Sequence, residues 1–161
     1  MRIGFTGSRE GMTKAQRSTL GVILFDQHEA REFHHGDCIG ADEEAHGLAR
    51  AFGFRIVLHP PSDPRKRAYC EADATRTPVG YLVRNRRIVD ECQLLVATPK
   101  LHAEEVRSGT WSTIRYAAKI GRPLIVILPD GRTVDAAMLE LHPLGFPPPA
   151  ATRNGNSGAQ G

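Results

Sequence analysis

Cysteine is scarce in this 161-residue chain, with three residues, Cys38, Cys70 and Cys92. An odd number cannot pair fully within one chain, and no CxxC occurs, so neither a zinc ribbon nor a thioredoxin-type site is indicated. Long apolar runs are missing too. The longest, Leu124 to Leu128, falls far short of the roughly 20 residues that cross a bilayer, so no membrane partner is expected. The first residues, Met1-Arg2-Ile3-Gly4-Phe5-Thr6, lack the basic-then-apolar layout of a signal peptide and read as a strand. A cytoplasmic protein is the expectation. Strong charge of one sign is absent: 21 Lys+Arg against 18 Asp+Glu leave +3, too balanced to argue for nucleic acid. Neither GxGxxG nor GxxxxGK[ST] occurs, and no repeat recurs at a fixed period.

What is present suffices for a globular domain. Hydrophobic residues make up 40% and charged residues 24%, enough for one core without staples. Residues 1–146 are read as a single domain. From residue 147 the chain is dominated by Pro, Gly, Asn and Ser. Such a stretch cannot offset its ordering entropy by burial, so 147–161 is expected to be a flexible tail.

Within the domain, short apolar runs alternate with helix-period segments. Strands are expected at 3–6, 32–35, 54–58, 94–97 and 123–128. Thr13 with Gln16 three residues on forms a capping box, opening a helix striped by Leu20, Ile23 and Leu24. Ala45, Leu48, Ala49 and Phe52 mark the second helix. Residues 60–78 read as a long polar loop. Pro78 opens a third helix whose buried face is expected to hold Tyr81, Leu82, Ile88, Val89 and Cys92. Ser108 caps a fourth, and a short helix is expected to end near Leu141. Alternation of this kind gives an α/β Rossmann-like three-layer sandwich, a mostly parallel sheet of about five strands with helices on both faces. The preferred strand order is 3-2-1-4-5. It reverses between the first and fourth strands, opening a crevice at their carboxyl ends.

Two loops flank that crevice. The first offers Gly7, Ser8 and Arg9; the second ends in Ser108-Gly109-Thr110 at a helix start. Glycine lets a ligand approach the backbone, and helix-start amides with the dipole favour anions. Arg9 or Arg84 can grip phosphate with a forked contact. Arg84-Asn85-Arg86-Arg87 fans around a helix, so one or two of them face the crevice; Arg84 and Asn85 are chosen, Arg84 for phosphate and Asn85 for a base or ribose edge. Asp42 either caps the second helix or, like Asp37, contacts a sugar or acts as a base. Tyr81 and Trp111 read as packing residues, and Arg65-Lys66-Arg67 as a solvated loop or a lid. His34, His35, Asp37 and Cys38 invite a metal reading. Strand alternation sends the two histidines to opposite faces, and the sequence shows no second ligand cluster, so no metal is expected.

The segments Gly4-Phe5-Thr6-Gly7-Ser8-Arg9, His35-Gly36-Asp37-Cys38-Ile39-Gly40-Ala41-Asp42, Arg84-Asn85-Arg86 and Ser108-Gly109-Thr110 together resemble the SLOG superfamily. That group includes the DNA-processing protein A (Smf) core, the "Lonely guy" phosphoribohydrolases and the YspA/YpsA-related proteins, and the likeness is greatest to the last. It spans roughly residues 1–128. The resemblance implies a Rossmann-like fold that binds a nucleotide or nucleotide-derived ligand, with Gly36 joining the ligand-binding residues, no cofactor required, and self-association through helix faces as an option. The phosphoribohydrolases carry Pro-Gly-Gly-x-Gly-Thr-x-x-Glu, and here Thr113 stands at the glutamate. A hydrolase would need another acid, and Asp37, Asp42 and Glu43 are the nearby choices. The leading expectation is a binding or sensing module for a phosphate-bearing ligand at the carboxyl edge of the sheet. A nucleotide hydrolase cleaving an N-glycosidic bond is second and a DNA-binding module third.

Overall fold

The computed structural model describes residues 1–142, 145–147 and 150. Its centre is a seven-stranded sheet in the order β4-β3-β2-β1-β5-β6-β7. The strands are β1 (Arg2–Gly7), β2 (Glu32–His35), β3 (Arg55–Leu58), β4 (Ala74–Thr75), β5 (Leu94–Thr98), β6 (Leu124–Ile127) and β7 (Thr133–Val134). All neighbours are parallel except β6 and β7. The expected five-strand order is preserved at the centre of the sheet, with β5 and β6 as its fourth and fifth members. The expected count is corrected to seven. Two-residue strands flank both edges, too short for any periodic signal, and β4 lies inside the segment read as an unstructured loop. That segment also contains a 3₁₀ turn, Pro64–Lys66.

The helices are α1 (Lys14–Asp26), α2 (Ala41–Ala51), α3 (Tyr81–Glu91), α4 (Gly109–Lys119) and α5 (Ala136–Leu141). Thr13 and Gln16 form the capping box at α1. Gln16 does more than cap. Its Nε2 donates to Pro99 O (2.8 Å) and Ile127 O (2.9 Å), tying α1 to the carboxyl ends of two strands.

Pleating divides the apolar side chains between two faces. Ile3, Phe5, Phe33 and Val96 pack with Leu20 and Leu24 of α1 and Ala45 and Ala49 of α2. Leu95, Ala97 and Val126 pack with Ile88 and Val89 of α3 and Ile114 and Ala117 of α4. Trp111 is buried in this second core, the packing role expected for it. The expected buried face of α3 needs correction at its start. Tyr81 and Leu82 are exposed, whereas Arg84 and Asn85 are buried. The helix begins beyond the strand ends, so its first turns face a cavity rather than the core.

No helix among the described residues is long and apolar enough to cross a membrane. Of the expected tail, residues 148, 149 and 151–161 lie outside the described residues.

Candidate functional site

β1 pairs with β2 on one side and β5 on the other, so the sheet's order reverses there and the crossovers diverge to opposite faces. A cavity of about 430 Å³ opens at that point. Gly7, Ser8 and Arg9 line it from the β1 loop, Arg84 and Asn85 from α3, and Ser108, Gly109 and Thr110 from the start of α4. Segments a hundred residues apart thus share one wall. Asp42 and Cys38 reach it from the β2–α2 loop.

The two loops contribute differently. In the β1 loop the Ser8 amide donates to Thr98 O (3.2 Å), and Ser8 Oγ accepts from the Glu10 amide (3.1 Å). The amide is spent on the protein, while the Ser8 hydroxyl keeps its proton to donate. Gly7 is required by packing: a Cβ there would lie 2.4 Å from Thr98 Oγ1 and 2.5 Å from the Ala41 Cβ. At α4, Ser108 Oγ accepts from the Trp111 amide (3.3 Å), while the amides of Gly109 and Thr110 find no acceptor among the described residues. The helix start adds two adjacent amide donors to the wall.

Arg84 gives the site its charge. Its side chain is 8% exposed, yet its bonding is thin. Nη2 donates to Cys38 Sγ at 3.3 Å, Nη1 stands 3.8 Å from Asp42 Oδ2, and buried Nε has no partner among the described residues. A guanidinium carries five donors and ordinarily fills most of them when buried. Gly36 makes room for it: a Cβ at Gly36 would sit 1.2 Å from Arg84 Nη1. Gly36 is therefore placed beneath the arginine rather than on the cavity wall.

Asp42 is not the cap of α2, a position held by Gly40 at φ 100°. Its Oδ2 accepts the Cys38 amide at 3.2 Å. Burial pushes its carboxyl up to about 6, against the lowering pull of Arg84 and of the Cys38 and Gly36 amides. The Cys38 thiol is also raised, first by burial and then by Asp42. Asp37 is wholly buried away from the cavity, accepting from Arg67 Nε (2.6 Å) and the Cys70 amide (2.9 Å). With φ at 53°, it holds the 37–70 loops together. Glu43 is exposed and off the cavity wall. Thr113 is buried, and its hydroxyl donates to Gly109 O (2.9 Å).

Lys100, Arg107, Glu10 and Glu105 escaped sequence reading, whereas Lys66 belongs to the triplet read as a loop or a lid. Lys66, Lys100 and Arg107 add positive charge, and Glu10 and Glu105 negative. Lys100 pairs with Glu10 at 2.8 Å. Tyr81 stands at the mouth against Gly109. Of the triplet read as a loop or lid, Lys66 faces the cavity, Arg67 holds Asp37 and Arg65 pairs locally with Asp63.

The sequence shows no second ligand cluster, but the fold assembles two groups: His34 with His59 and Glu91, and His35 with His46 and Cys70. The partners lie 11–57 residues from the histidines they join, beyond any local motif. Burial holds the rings of His34 and His35 below the usual imidazole range and takes His59 down to about 4.

No protein-family model and no curated protein matches the chain. Solved structures do. The molybdenum cofactor binding protein of Rippkaea orientalis matches with a TM-score of 0.62 at 21% identity, over 87% of this chain and 80% of that one. The Moco carrier protein of Chlamydomonas reinhardtii gives 0.59 at 17%, over 78% and 74%. DNA processing protein A of Streptococcus pneumoniae gives 0.62 at 21%, over 89% of this chain and 57% of its own length. The chain has the fold of these proteins. It is the Rossmann-like fold that the SLOG resemblance implies.

Proposed function

We propose that this chain is a SLOG-type domain that binds or senses a nucleotide or nucleotide-derived ligand, with the ligand's phosphate in the cavity between β1 and β5. The observation that carries the reading is Arg84. It is buried on the cavity wall, and among the described residues its Nε has no partner and no ionic group lies within hydrogen-bond reach of it. A phosphate oxygen supplies the acceptor it lacks. The amides of Gly109 and Thr110, without acceptors among the described residues, sit on the same wall, and Asn85, also on that wall, would read a sugar or base edge. Structures of this fold include proteins named for binding a molybdenum cofactor, which supports a small-molecule ligand.

Asp42 favours a second reading, hydrolysis of a nucleotide. It is a wall carboxylate with its pKa raised to about 6, within the range of a general acid or base. DNA remains an outcome of the test, since two structural neighbours are DNA processing proteins.

The experiment is thermal melting of the full chain with nucleoside mono-, di- and triphosphates, pyrophosphate and a single-stranded oligonucleotide. A ligand at 100 times its Kd adds about 2.7 kcal/mol of stability, a rise of several degrees for a chain of this size. Stabilisation by a nucleotide that Arg84→Ala abolishes is expected. Product analysis then separates binder from hydrolase. Stabilisation by the oligonucleotide alone overturns the proposal.

A further inference from the structure

β2 carries His34 and His35 side by side, and the pleat points them to opposite faces. On one face His34 Nδ1 lies 3.0 Å from His59 Nε2 and 3.9 Å from Glu91 Oε2. One ligand atom from each of the three falls within 4.8 Å of the others. His35, His46 and Cys70 meet the same limit on the other face.

Existing hydrogen bonds tell the two groups apart. His35 Nδ1 accepts the Asp37 amide at 3.2 Å. Its proton must then sit on Nε2, which faces His46, leaving no lone pair for a cation. His34 is the reverse case. Its Nε2 lies 3.2 Å from Glu32 Oε2, and a carboxylate only accepts, so that nitrogen carries the proton. The lone pair of Nδ1 then faces His59 and Glu91. A carboxylate behind an imidazole is the arrangement that orients metal-ligating histidines. With His34 Nδ1 accepting, the 3.0 Å contact puts the His59 proton on Nε2. Nδ1 of His59 is buried with no partner among the described residues, so the proton can move to Nδ1 when a cation takes the Nε2 lone pair, a shift the Asp37 amide denies to His35. The separations of 3.0 and 3.9 Å bracket the roughly 3.3 Å between ligand atoms of a tetrahedral cation bonded at about 2.0 Å.

We propose that His34, His59 and Glu91 bind a divalent transition-metal cation of the zinc class. Two imidazoles and one carboxylate suit that class, and three protein ligands leave a position for water. The cation ties β2 and the end of β3 to the last residue of α3. Arg84 lies seven residues earlier on that helix, about 10 Å along its axis, so the metal anchors the element that carries the cavity guanidinium. Arg76 is the cation's competitor. Its Nε and Nη2 donate to Glu91 Oε2 at 2.9 and 2.8 Å, and its side chain, 42% exposed, can turn to water.

The test is titration of the chelator-stripped full chain with Co²⁺ and Zn²⁺, read by visible d–d absorption, elemental analysis and melting temperature, with circular dichroism confirming that each variant folds. One equivalent per chain and a four- or five-coordinate cobalt band are expected. Glu32→Gln should weaken binding about 10–100-fold, and His59→Gln and Glu91→Gln by more. Arg76→Ala should bind more tightly than the parent, and His46→Ala equally well. Glu91 and Arg76 are partly exposed, so their variants carry the test if His59→Gln does not fold. The absence of a stoichiometric cobalt band in the parent chain overturns the proposal. Binding that survives Glu91→Gln but is lost in His46→Ala also overturns it.

Discussion

Asp42→Asn should stabilise the protein at neutral pH and leave it unchanged in acid. An ordinary aspartate titrates near 3.9, and Asp42 in the fold is raised to about 6, chiefly by burial. The folded state therefore holds this proton more tightly than the unfolded chain does. Below about pH 4 both states are protonated and the group costs nothing. As pH rises through 6, the folded state must ionise a buried carboxyl, and that part of its stability is lost. The gap between the two values is worth about 3 kcal/mol once both states are ionised. Asparagine keeps the shape and removes the charge. At pH 8 the variant should gain up to about 3 kcal/mol, or roughly 6–12 °C in Tm; at pH 4 the curves should coincide. Urea unfolding at pH 4, 6 and 8 measures this. The opposite sign at pH 8 would refute the reasoning. It would mean that ionised Asp42 is needed to neutralise Arg84, whose lone burial costs more than the carboxylate does.

Anion affinity should follow the same titration. Sulfate keeps its charge across this range, and its binding should strengthen as pH falls through about 6 in the parent chain but stay flat in Asp42→Asn, by calorimetry. Gly36→Ala places a methyl 1.2 Å from Arg84 Nη1. It should displace the guanidinium and weaken nucleotide binding about 10-fold or more; unchanged affinity would show that Arg84 does not hold the ligand. Gly7→Ala collides with Thr98 Oγ1 and Ala41 and should cost about 1–3 kcal/mol in chemical unfolding. Gln16→Leu strands the carbonyls of Pro99 and Ile127 and should cost about 2–4 kcal/mol; a neutral result would mean that water reaches those oxygens.

Local signals carried the fold as far as local physics governs it. The capping box of Thr13 and Gln16 and the apolar run of β6 act within a few residues, and each is where its pattern places it. Right-handed crossovers leave few topologies for such segments, and the order preferred among them is the one the five central strands have. The edges escaped because β4 and β7 have two residues each, held by neighbours rather than by propensity. At the site, Arg84 and Asn85 were legible as members of a polar run that fans around a helix beside the crevice, so that one or two of its four residues had to face it. Lys100 and Arg107 were not, since a lysine or arginine in a polar loop looks the same whether it faces a cavity or water; Lys66 was legible only as one of two alternatives, loop or lid. The histidine groups were hidden for a further reason: their members meet only after β2, β3 and α3 are stacked.

Arg84 and Asp42 stand 3.8 Å apart, close enough to feel each other and too far to form a strong hydrogen-bonded pair. Both are costly to bury. A protein selected for stability alone would draw them together into a forked contact or replace both with apolar groups. Gly36, where a Cβ would collide with the guanidinium, works against collapse: a larger residue would expel the charge, and its absence keeps the arginine buried and under-bonded. Such an arrangement persists where the missing partner arrives from outside. A phosphate entering the cavity completes the bonding of Arg84, and the accompanying negative charge favours protonation of Asp42. Ligand binding should therefore take up a proton near pH 6, measurable as a buffer-dependent heat of binding that disappears in Asp42→Asn. A heat independent of buffer in the parent chain would separate Asp42 from the anion site.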